Sequence, residues 1–158
     1  MIKPSERSIL QRHLAETPVK LGSLAKDLGI EVFRSSMKPG ISGLIEPSDT
    51  APSGYRIKIN RHENVERQRF TLAHEISHYL LHREFIRNGV IDNTMYRSSL
   101  SNKQEIEANK LASKIVMPDA AVSQLRQNYS GLTFDEMVHR MARDLRVSEP
   151  AMRIKLGG

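Results

Sequence analysis

Three histidines stand four residues apart in the stretch FTLAHEISHYLLHREF, residues 70 to 85: His74, His78 and His82, with Glu75 inside the first gap. His74-Glu75-Ile76-Ser77-His78 is an HExxH pattern. On a helix this spacing puts two imidazoles on one face, about 6 Å apart along the axis, where both can reach one ion at about 2.0 to 2.1 Å. Glu75 leaves the helix at a neighbouring angle, so its carboxylate can hold a water beside the ion without ligating it, as a general base does in zinc-dependent hydrolysis. Phe70, Leu72, Ala73, Ile76, Leu80 and Leu81 cover more than one face of the same segment, which predicts a helix over 64–83 in the middle of the protein. Two imidazoles placed there are costly unless a metal or polar partners use them.

His82 does not complete the set. On a continuous helix it lies about 12 Å along the axis from His74, too far for three rings to converge on one ion. Zinc sites that recruit a nearby third histidine need a glycine turn to bring the chain back, and position 81 is Leu. His82 is expected to be partly exposed or to support a ligand. The third ligand must come from another element, and QEIEANKLASKIVMP offers Glu105, Glu107 and Asn109. Glu105 and Asn109 share a stripe with Ala112 and Val116 that should point inward, whereas Glu107 is turned by about 200° from Glu105. Glu105 is the better ligand. Asn109, one turn on, is placed to hydrogen-bond a ligating imidazole and fix its tautomer, and Glu107 reads as a surface acid. Tyr79 points away from the ligands and reads as core. A donor for the oxyanion of a tetrahedral intermediate is still required; Tyr96 and Arg97, between the two ligand helices, are candidates, the alternative for both being loop residues facing water.

The elements that must hold these residues follow from periodicity and punctuation. SERSILQRHLAET predicts a helix capped by Ser5, and Pro18 opens a second that Gly29 stops. Turn-rich sequence then separates three strands, near 31–35, 41–46 and 55–60; YRIKIN alternates Tyr55, Ile57 and Ile59 with polar residues and is expected at a sheet edge, where it could pair with an extended substrate. NGVIDNTMYRSSLSN reads as an irregular connection. Helices follow at 102–117, ended by Pro118, then at 119–128, at 134–145 with Thr133 as cap, and at 149–156 with Ser148 as cap and Gly157 as stop. The expected architecture is α+β, a single domain over 1–158: N-terminal helices to residue 30, a small three-stranded, mainly antiparallel or mixed sheet packed on the HExxH helix and the metal-binding helices over 31–118, and a helical part over 119–158.

Composition narrows the chemistry. There is no cysteine, so a metal must be held by His, Asp, Glu or water. No apolar run approaches the roughly 18 to 20 residues of a membrane span and the N-terminus lacks a signal-peptide core, so the protein is expected in the cytoplasm. The net charge of +6 is spread along the chain without a Lys/Arg block, which argues against direct nucleic-acid binding. LGSLAKDLGIEV and MARDLRVSEPAMRIKL do read as helix, turn, helix, the pattern of a DNA-binding module. A helix over 149–156 is only about two turns long, however, and packing against the core is the simpler use of it.

RQRFTLAHEISHYLLH followed by EIEANKLASKIVMP resembles the ImmA/IrrE family of metallopeptidases, a gluzincin-type group with an HExxH helix and a downstream Glu helix ending in Met-Pro. The likeness extends from LAKDLGIEV through YRIKIN to LRVSEPAMRIKL. It implies a zinc-dependent endopeptidase in which His74, His78 and Glu105 match the ligands and Glu75 the base, and in which Ser77 stands where the family often has glycine. It also implies a substrate, since members typically cleave a helix-turn-helix repressor, while others belong to toxin–antitoxin-like pairs. A metal-binding protein that regulates by protein–protein or DNA binding without proteolysis is the competing expectation.

Overall fold

The computed structural model describes residues 2–86, 90–93 in their backbone, and 100–157. The chain begins with α1 (Pro4–Leu14) and α2 (Leu21–Asp27). The cap of α1 is Lys3, not Ser5: proline's fixed φ suits the first helical position, so the helix starts at Pro4, and Glu6 turns back to accept the Lys3 N–H at 3.3 Å. Leu21, Leu24 and Ala25 bury one face of α2, and Gly29, with φ at 79°, turns the chain into the sheet.

The three expected strands are β1 (Glu31–Ser35), β2 (Ile41–Pro47) and β3 (Tyr55–Asn60), and a fourth, β4 (Val90–Asn93), joins them. The order is β1-β3-β2-β4, with β1 parallel to β3 and the other pairs antiparallel. YRIKIN is thus an interior strand and not an edge. Its reach for partners on both sides is explained by its apolar face: Ile57 and Ile59 are buried, and Val32 of β1 and Ile45 of β2 pair with Ile57 from either side. The outer strands are β1 and β4. The fourth strand comes from the connection read as irregular, because VIDN is too short and too polar to announce itself, and its pairing with Ile41–Ile45 is decided across the sheet.

Across the sheet lies α3 (Val65–His82), which packs on β2, β3, α2 and α4. Asn64 caps it by accepting the Arg67 N–H at 2.8 Å, and a short 3-10 turn, Arg83–Phe85, extends its far end. Next comes α4 (Asn102–Val116), begun by a reciprocal pair of bonds between Ser101 and Gln104. The chain ends in α5 (Asp119–Asn128), α6 (Phe134–Leu145, capped by Thr133) and α7 (Glu149–Lys155, capped by Ser148). One cluster of buried side chains runs from Leu10 to Leu156 and includes Val138, Met141, Leu145 and Met152 of the last two helices. The helix-turn-helix-like C-terminal segment therefore spends its apolar face on the core. None of the described helices is long and apolar enough to cross a membrane.

Candidate metal centre

The buried length of α3 is what makes its polar residues informative. His74, Glu75 and His78 are all buried, the last two completely, within a helix surrounded by sheet and helix. The 3.6-residue period brings the two imidazoles to the same side, their rings at 87° and their Nε2 atoms 3.0 Å apart. From α4, Glu105 closes on both: one carboxylate oxygen is 3.2 Å from His74 Nε2 and the other 3.1 Å from His78 Nε2. Ligand atoms held tetrahedrally at zinc distances are separated by about 3.3 Å. The three donor groups thus stand nearly as an ion would hold them, and the donor set, two nitrogens and a carboxylate, is one that zinc accepts.

Electrostatics support the same arrangement. Burial pushes the His78 imidazole below its usual pKa, and the neighbouring His74 and His82 push the same way against Glu105, favouring the neutral ring that a metal requires. Burial alone would raise the Glu105 carboxyl, but hydrogen bonds to the two imidazoles outweigh it and hold the group well below the ordinary carboxylate range. Glu75 sits beside this cluster without being drawn into the triangle. Its Oε1 is 4.0 Å from His74 Nε2, and ligand atoms of His74, Glu75 and His78 lie within 4.8 Å of one another. That separation suits a group that handles a proton next to an ion.

Around the triangle the expectations divide. His82 is buried rather than partly exposed, its Nδ1 lying 3.1 Å from His78 Nδ1. Asn109 is exposed, with no hydrogen bond to either imidazole among the described residues. The buried stripe of α4 runs through Ala108, Ala112, Ile115 and Val116, which turns Asn109 towards solvent. Glu107 is exposed, as expected of a surface acid, and its Oε1 comes within 3.4 Å of His82 Nε2. The His78/His82 spacing puts those two rings on one face; the contact from Glu107 is what the sequence did not announce. Tyr79 is core as expected, edge-on to Tyr55 at 5.6 Å between ring centroids. Ser77 is fully buried and donates to the Ala73 carbonyl at 2.7 Å, so its hydroxyl is satisfied within the helix. Tyr96 and Arg97 lie outside the described residues.

Comparison with known proteins agrees with this geometry. Residues 25–156 match a peptidase family described as the IrrE N-terminal-like domain, a span that includes the whole sheet and both helices of the centre. The chain is also similar to the metallopeptidase ImmA of Bacillus subtilis (strain 168), with 25% identity over 136 residues, covering 86% of this chain and 75% of that protein. A buried HExxH helix closed by a glutamate from a second helix, within a family match over most of the chain, places this protein in the IrrE N-terminal-like family of metallopeptidases.

Proposed function

We propose that this protein is a zinc-dependent endopeptidase that cleaves a helix-turn-helix repressor protein. The observation that carries the catalytic part is the closure of Glu105 on His74 and His78 with the carboxylate of Glu75 buried alongside. His74 Nε2, His78 Nε2 and the Glu105 carboxylate would hold the ion, which when bound supplies Lewis acidity toward water and a peptide carbonyl. Glu75 accepts the proton of the attacking water on its carboxylate and returns it to the nitrogen of the departing amine. Its burial beside the cluster keeps that carboxylate out of bulk water and fixed in place. An extended substrate segment pairing with the sheet would do so at an outer strand, β1 or β4, since β3 has neighbours on both sides. The repressor as substrate rests on the family resemblance.

The test compares wild type with Glu75→Gln. Both are expected to bind about one zinc per chain, because the substitution leaves the three ligands in place. Only wild type is expected to cut a helix-turn-helix repressor, with the variant slower by at least about 100-fold. Equal loss of repressor with both proteins would refute proteolysis and favour regulation by binding.

A further inference from the structure

We propose that His82 and Glu107 form a hydrogen-bonded support that fixes the tautomer and ring orientation of His78 as a metal ligand, making both of them positioning residues. The proposal rests on the reading that His78 binds the ion through Nε2.

The protons can be placed from either end of the chain of contacts. His78 Nε2 faces His74 and Glu105, so a neutral His78 that gives this nitrogen to a metal carries its proton on Nδ1. That N–H points at His82 Nδ1, 3.1 Å away, which must then be bare and accept. The proton of a neutral His82 is left on Nε2, and Nε2 is 3.4 Å from Glu107 Oε1. Starting from the other end gives the same answer, because an ionised carboxylate can only accept and therefore takes the Nε2–H of His82. A single pattern satisfies all the contacts: Glu107 accepts from His82, His82 accepts from His78, and the metal takes the remaining nitrogen.

Burial gives this pattern its weight. His78 is fully buried and His82 is 4% exposed, so a ring nitrogen left without a partner there is costly. The support is also applied to one ligand only, since His74 Nδ1 is buried without a hydrogen-bond partner among the described residues. His78 is thereby the more firmly oriented ring, and an imidazole whose far N–H is engaged is the more basic ligand.

The test measures zinc affinity by competition with a chromophoric chelator. His82→Leu, which fills the space but cannot accept a hydrogen bond, is expected to weaken zinc binding by about 10- to 100-fold. His82→Gln, whose amide oxygen can accept from His78, is expected to recover most of that loss, while the melting temperature of each chelated variant stays near that of chelated wild type. No loss with His82→Leu, or equal losses with both substitutions, overturns the proposal. His78→Ala tests the underlying ligand reading separately: retention of zinc by that variant defeats the reading, whereas its loss beside an unaffected His82→Leu defeats the support alone. Long-range 1H–15N spectra of the zinc-loaded wild type decide the matter even if a variant fails to fold. A proton on His82 Nε2 is expected, and one on Nδ1 overturns the proposal.

Discussion

Arg83 grips Glu6 across the molecule, with each terminal guanidinium nitrogen 2.6 Å from a different carboxylate oxygen. The two side chains are only 22% and 10% exposed, and the guanidinium also lies 4.4 Å above the ring of Tyr79, the residue after His78. The pair thus pins α1 to the end of α3. Hydrogen bonds from Arg83 hold the Glu6 carboxyl below its ordinary value of 4.5, against the opposing effect of burial. A lowered carboxyl stabilises the fold above its unfolded pKa, and that contribution is lost as pH falls through the folded value. Glu6→Gln is expected to cost about 2 kcal/mol at neutral pH, roughly 4–8 °C in melting temperature. The difference from wild type should narrow below about pH 4.5. Thermal melts across pH check this, and a gap unchanged into the acid range would assign the loss to packing.

Metal removal should loosen the protein without unfolding it. The apolar cluster from Leu10 to Leu156 holds the helices and sheet together independently of the centre. Free zinc at about 100 times its dissociation constant is expected to add about 2.7 kcal/mol, roughly 5–10 °C. His78→Ala should abolish this gain. Calorimetry with and without chelator measures it, and a zinc response preserved in the variant would disprove the ligand assignment.

Gly43 lets β2 pass close to both β3 and α3. A Cβ there would stand 2.7 Å from the Lys58 carbonyl oxygen and 2.8 Å from Thr71 Cγ2, so backbone on one side or helix on the other must move. Gly43→Ala is expected to destabilise by about 1–3 kcal/mol in denaturant titrations. Gly22→Ala is the control: in α2, with nothing within 4 Å of an added Cβ, it should be neutral or stabilising by about 0.5 kcal/mol. Equal effects at the two positions would remove the steric argument.

Arg146 follows α6 at φ 57° and ψ 48°, where its N–H and that of Val147 return to the last turn of the helix. A residue with a Cβ is strained there by about 1 kcal/mol, and the side chain is exposed. Arg146→Gly is therefore expected to stabilise the protein by about 0.5–1 kcal/mol, measured as a higher denaturant midpoint with an unchanged slope. A lower midpoint would show that the arginine side chain contributes more than its backbone costs.

The helices of this chain and the paired histidines within them were legible in the sequence because their causes are local. Asn64, Ser101, Thr133 and Ser148 cap their own helices, and His74 and His78 share a face through a spacing that belongs to any helix. Glu105 was also within reach, since its helix has clear ends and an apolar stripe. Local pattern failed where a few tens of degrees of rotation, or the reach of a side chain, mattered. Asn109 lies beyond the buried stripe of α4, and Glu107, turned away from Glu105 by backbone geometry, is long enough to bend towards His82.

The relations that required the folded molecule are those between segments far apart along the chain. The interior position of β3 and the pairing of β4 depend on which strands meet across the sheet, and short strands carry little of that information in their own residues. The HExxH spacing by itself puts His74 and His78 on one face, because four residues make about one helical turn in any context. The closing distances from Glu105, the orientation of the His78 ring and the chain of contacts through His82 to Glu107 arise only where α3 and α4 pack together, since side-chain rotamers are chosen by neighbours that sequence distance does not reveal.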